Sequence, residues 1–165
     1  MVIMLTRRTM MVSGVAALAT GLVASRWAGS APAPHYPVML SDAEWRKKLP
    51  APAYAVLRQA STERAYTSPL NDEHRAGTFT CAGCDNRLFS SRTKFDSGTG
   101  WPSFYQPLPK AVGTSTDHLI GMARTEVHCA RCGGHLGHVF DDGPRPTGLR
   151  YCMNGVAMGF TPGAA

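Results

Sequence analysis

The rhythm of hydrophobic and polar positions changes twice along this chain. Residues 10–24 form an uncharged run rich in Ala, Gly and Val. From Ser41 the pattern turns mixed and helical. Ser41 and Glu44 have the capping-box spacing, a hydroxyl at the N-cap and a carboxylate three residues on, which predicts a helix through about Lys48. Pro50 and Pro52 interrupt it, and Ala53–Gln59 reads as a second short helix. Residues 64–77 hold too many turn formers to be regular. Beyond Thr78, short apolar stretches alternate with Gly, Pro and Asp, so that Gly77–Cys81, Arg87–Ser90, Ile120–His128, His135–Phe140 and Leu149–Asn154 are the expected strands. The fold class is therefore mainly β and mainly antiparallel, with short helices at the N-terminal end.

Charge adds meaning to the first apolar run. Arg7 and Arg8 stand just ahead of it, and at fifteen residues it is short of the roughly 20 that span a bilayer core. The pair and the run predict a twin-arginine export signal over residues 1–33, cut near Ala28-Gly29-Ser30 or Ala31-Pro32-Ala33, and a single domain over 34–165. A buried helix or an uncleaved membrane tether are the alternatives. The expected location is exported and periplasmic. Of the 17 basic residues, Arg7, Arg8 and Arg26 fall in the signal, leaving 14 against 11 acids, a net charge of +3. So small a surplus, without a basic stripe, argues against a nucleic-acid partner.

The five cysteines divide into four and one. Cys81 and Cys84 form one C-x-x-C, and Cys129 and Cys132 form another, with 44 residues between the two. Each such turn offers two thiolates on one edge of a tetrahedron, so the pairs predict one structural zinc ion clipping together distant parts of the domain. Two redox disulfides are the rival reading, but the βαβ context of a thioredoxin-like motif is absent.

Cys152 stands alone in Leu149-Arg-Tyr-Cys-Met-Asn154. On a strand, the period of two puts Arg150, Cys152 and Asn154 on one face and Leu149, Tyr151 and Met153 on the other. A cation and an amide beside a thiol make a nucleophile's environment, although a lone cysteine also serves as core filler. Upstream, His135 and His138 would face opposite sides of a regular strand, and reach one site only if Gly137 kinks or bulges the chain. Asp142 is available to orient an imidazole or hold a water, and the three could instead bind a second metal. Trp101 and Phe104 lie in a glycine-rich stretch that looks like a binding loop with an apolar wall, although by composition alone such rings more often pack in a core.

The segments Cys81-Ala-Gly-Cys84, Lys94-Phe-Asp-Ser-Gly-Thr-Gly-Trp-Pro-Ser-Phe104, Arg124-Thr-Glu-Val127 and His135 through Asn154 together resemble the B-type peptide methionine-R-sulfoxide reductases, a likeness running from near Ser41 to about Phe160. The resemblance implies two small antiparallel sheets, with zinc held by Cys81, Cys84, Cys129 and Cys132 away from the active site. It implies Cys152 as nucleophile, oxidised to a sulfenic acid, with His138 as the acid. His135, Asn154 and, through water, Asp142 would surround the sulfoxide oxygen, Arg150 would favour thiolate, and Trp101 would receive the substrate methyl group, with Phe104 nearby. The substrate is methionine-R-sulfoxide, free or in proteins. Many members carry a resolving cysteine where this chain has Thr99, so an external thiol, small or thioredoxin-like, is expected to recycle a monomeric one-cysteine enzyme. The chain also reads Asn154-Gly-Val-Ala-Met-Gly159 where the family usually has Asn-Ser-Ala-Ser-Leu-Lys. If that departure removed activity, the scaffold would be a non-catalytic zinc-clipped binding module.

Overall fold

The computed structural model describes residues 35–117 and 123–164. The expected export signal, residues 1–33, lies outside the described residues.

Two helices lead into the sheets. In α1 (Asp42–Lys48) the capping box forms as expected: the Ser41 backbone N–H donates to the Glu44 carboxylate at 2.7 Å, and the Ser41 hydroxyl accepts from the Glu44 amide. Leu49 leaves the helix in extended conformation, as a residue before proline must. α2 is Ala51–Gln59, two residues longer than predicted. Pro52 does not delay it, because in the first turn its missing N–H would have had no intrahelical partner. Trp45, Tyr54, Val56 and Leu57 are the buried face of the pair.

Among the described residues, nine strands form two antiparallel sheets. The smaller has the order β2–β1–β9, from Arg87–Ser90, Gly77–Cys81 and Met158–Pro162. The larger has the order β3–β4–β8–β7–β6–β5, from Lys94–Phe95, Ser103–Phe104, Arg150–Met153, His135–Phe140, Arg124–Cys129 and Val112–Asp117. The predicted β1, β2 and β7 match residue for residue. β8 is one residue shorter at each end, and β6 begins at Arg124, residues 118–122 being outside the description. Four strands were not anticipated. β3 and β4 are two residues each, β9 follows the glycine-bearing departure, and β5 is a polar edge strand with no buried alternation to betray it.

The core runs between the sheets. Phe104 stacks on Phe89 at 4.3 Å and meets Phe79 edge-on at 4.8 Å, all three fully buried. Because β1 carries Cys81 and the end of β6 carries Cys129, the cysteine cluster joins one sheet to the other.

Candidate active site

Cys152 lies on β8 between β4 and β7, paired with Ser103 on one side and His138 on the other. The expected alternation holds where it matters. Met153 is buried and Tyr151 packs toward Phe89, while Cys152 is half-buried and opens onto a cavity of about 120 Å³. Trp101, Arg124, His138, Phe140 and Asn154 line the same cavity.

The two histidines meet because the strand bulges. Val127 pairs with Gly137 but His128 pairs with His135, so Leu136 is extra in β7, and the rings of His135 and His138 come to 5.4 Å. Gly137 supplies the room: a Cβ there would sit 2.1 Å from the Cys152 carbonyl oxygen. Each ring is held by a carboxylate from elsewhere in the sheet, His135 from adjacent β6 and His138 from β5 beyond it. His138 Nε2 is 2.7 Å from Asp117 Oδ2, which also accepts from Arg124, and His135 Nδ1 is 2.7 Å from Glu126. Burial, above all, pushes the His138 pKa below the ordinary imidazole value, against the pull of Asp117. The neutral ring then carries its proton on Nε2 toward the carboxylate and keeps the Nδ1 lone pair. His135 is 5 % exposed and does not line the cavity, and its Nε2 has no partner among the described residues.

Arg150 is clamped by Asp142 through two bonds of 2.8 Å and lies over the Phe140 ring at 4.4 Å. Its pKa is raised, first by Asp142 and further by the nearby Cys152 sulfur, so a fixed cation stands beside the thiol. Asp142 itself is mostly exposed and outside the cavity wall; it holds Arg150 rather than reaching the space in front of Cys152. Phe104, expected near substrate, is instead wholly in the core, on the face of β4 turned toward Phe79 and Phe89.

Glu63, which no motif marks, organises the opposite wall. Its backbone N–H donates to Asn154 Oδ1 at 2.9 Å, and its carbonyl accepts from the Trp101 indole at 3.1 Å. Its carboxylate accepts from the backbone amides of Gly155 and Val156. Asn154 is tied at its other end too, donating to the Leu136 carbonyl at 3.0 Å. The Gly155 departure fits here. A Cβ at Gly155 would lie 1.8 Å from the Ser68 hydroxyl oxygen, so a serine side chain from the preceding loop fills the space a side chain at 155 would need.

Sequence reasoning also missed Asp117, on the unpredicted β5. Arg124 and Glu126 carried a signal, since two charged residues two apart on a strand share a face.

The other four cysteines are buried and free of disulfides, with their sulfurs within 4.8 Å of one another, positioned to hold a metal ion. Cys81–Cys132 and Cys84–Cys129 are the short edges, at 3.7 and 3.6 Å. Hydrogen bonding inside the cluster splits the thiol pKa values, raising that of Cys81, through Cys129 first, and lowering that of Cys129, through Cys132 first. The Gly83 amide and the Asn86 side-chain amide donate to Cys81 and Cys129 sulfurs, support that suits thiolate ligands.

The SelR domain family matches residues 49–162. Among curated relatives, the chain is 56% identical over 129 residues to the peptide methionine sulfoxide reductase MsrB of Leifsonia xyli subsp. xyli, spanning 77% of this chain and 93% of that protein. It is 54% identical over 123 residues to the MsrB of Agrobacterium fabrum, spanning 74% of this chain and 91% of the relative. The chloroplastic peptide methionine sulfoxide reductase B1 of Arabidopsis thaliana is 54% identical over 120 residues, 72% of this chain and 59% of its own.

Proposed function

Because the chain belongs to the SelR domain family, together with the MsrB peptide methionine sulfoxide reductases, we propose that it reduces methionine-R-sulfoxide, free or in proteins, with Cys152 as nucleophile. The observation that carries the reading is convergence: a half-buried thiol, a carboxylate-held imidazole, a fixed amide and an indole wall share one small cavity.

In the reaction, the Cys152 sulfur attacks the sulfoxide sulfur while the oxygen is protonated. His138 accepts the thiol proton on Nδ1, becomes an imidazolium steadied by Asp117, and returns the proton to the oxygen. The S–S bond made by the attack and the substrate S–O bond then break as the protonated oxygen passes to Cys152, so the products are methionine and the Cys152 sulfenic acid. Arg150, its cation fixed by Asp142, stands beside the attacking sulfur. Trp101 faces the methyl group, with Asn154 and His138 on the oxygen side and His135 buried behind them, and this asymmetry selects one epimer of a chiral sulfoxide.

The other cysteines are committed to the buried cluster, so an external thiol recycles the sulfenic acid in this one-cysteine enzyme. The metal is zinc: a tetrahedron with Zn–S distances of about 2.3 Å has sulfur edges of about 3.8 Å, close to those observed, and its role is to join the sheets. The enzyme acts as a monomer and is exported on the twin-arginine segment, which fractionation of cells and N-terminal sequencing of the product would test.

The decisive assay offers separated R and S epimers to the metal-loaded chain with excess dithiothreitol, beside Cys152→Ser. Turnover of R alone, absent from the variant, is expected. Turnover of S, or activity that survives Cys152→Ser, would overturn the assignment.

A further inference from the structure

A chain of hydroxyl groups ends on the reactive sulfur. Thr99 Oγ1 lies 3.8 Å from Cys152 Sγ, Ser97 Oγ is 2.8 Å from Thr99 and 2.7 Å from Ser103 Oγ, and Ser103 donates to the Trp101 carbonyl at 3.1 Å. Nothing in the functional reading above uses it. We propose that Ser97, Thr99 and Ser103 are positioning residues that stabilise the sulfenic acid of Cys152 until an external thiol arrives. This rests on the proposed oxygen transfer to Cys152.

Three features carry the proposal. First, the relay is rigid. Ser103 is fully buried and faces Cys152 across the β4–β8 ladder. The loop bearing Thr99 is held from outside: the Tyr66 hydroxyl donates to the Gly98 carbonyl at 2.6 Å, and the Tyr66 amide and the Asn71 side chain both donate to the Gly100 carbonyl. Second, the relay can reverse. A hydroxyl both donates and accepts, so when the Ser103 proton turns from the Trp101 carbonyl to Ser97, rotation of protons alone turns the Thr99 end from acceptor to donor, with no heavy atom moving. It can accept from the Cys152 thiol, and afterwards donate to the sulfur or the oxygen it has gained. Third, the relay is unreactive. A hydroxyl cannot form a disulfide with a sulfenic acid, so Thr99 solvates the oxidised sulfur without consuming it.

The chemistry balances without another reactant until release. Cys152–SH and the sulfoxide give Cys152–SOH and the thioether, two electrons passing from the cysteine sulfur to the substrate sulfur. An external thiol RSH then gives Cys152–S–SR and water, and a second RSH restores Cys152–SH with RSSR.

The test uses the full, metal-loaded chain without reductant. Excess methionine-R-sulfoxide is added, methionine release is measured, and a fixed concentration of hydrogen peroxide follows, which carries an unprotected sulfenic acid on to sulfinic acid and water. Dimedone adducts at Cys152 are counted by mass spectrometry over time in wild type, Thr99→Val and Thr99→Ser. Thr99→Val keeps the branched shape and removes the hydroxyl, and its dimedone-reactive Cys152 should be lost roughly tenfold faster, the scale of one net hydrogen bond. Thr99→Ser should restore the wild-type lifetime. Equal lifetimes in wild type and Thr99→Val would overturn the proposal, as would a loss that Thr99→Ser does not rescue, since that assigns the effect to packing. Absence of methionine release by wild type would instead strike the oxygen-transfer reading beneath it, a distinct result.

Discussion

Burial and Asp117 act on the His138 ring in opposite directions, and burial wins. Removing the carboxylate should therefore move the ring further down. In Asp117→Asn the His138 resonance is expected to titrate at lower pH than in wild type by NMR, and turnover should fall on the order of tenfold, part of the factor a positioned acid–base group supplies. Because the folded-state value lies below the unfolded one, His138 favours the native state fully above about pH 6.5 and loses that contribution as the pH falls toward its folded value. Thermal melts from pH 7 to 5 should accordingly decline less steeply for His138→Asn than for wild type. The chemistry-bearing residues were the most legible part of the chain: the C-x-x-C spacing and the strand phase of Cys152 are local facts. Asp117 and Glu63 were not legible, because each acts across the fold, Asp117 on a ring 21 residues away and Glu63 on an amide 91 residues away.

The bulge in β7 governs the site. Gly137→Ala places a methyl against the Cys152 carbonyl and should force β7 from β8, costing about 3 kcal/mol in denaturant unfolding with loss of turnover. The Gly155–Ser68 contact gives a second test. Gly155→Ser alone should destabilise by about 2 kcal/mol, and adding Ser68→Gly should recover much of it, so that a double-mutant cycle shows strong coupling. An additive cycle would mean that the two positions do not share the space. Strand prediction succeeded where consecutive positions are buried between turn formers, as in β1 and β7, and failed where the ladder itself is the only order. β4 is two residues long, yet it places Ser103 opposite Cys152, and nothing in a two-residue alternation can announce that.

For the molecule as a whole, the four-cysteine cluster ties β1 of one sheet to β6 of the other and closes a loop of 44 residues. Chelation in the presence of a reductant should lower the melting temperature sharply and abolish turnover, although the cluster takes no part in the reaction; re-addition of zinc should restore both. A chelated protein that melts like the loaded one would deny the cluster its structural role.

The segment around Glu63 has a different kind of consequence. It holds Trp101 by a carbonyl and Asn154 by an amide, and its carboxylate closes on the turn after β8. Every side chain assigned to the chemistry lies beyond Gly77, so a fragment cut at the first strand would look complete on paper. Such a fragment would keep its thiol and imidazole while losing the scaffold of both specificity walls. It should react with small electrophiles at Cys152 yet discriminate poorly between the two sulfoxide epimers, and reactivity would thereby be separable from handedness by where the chain is cut.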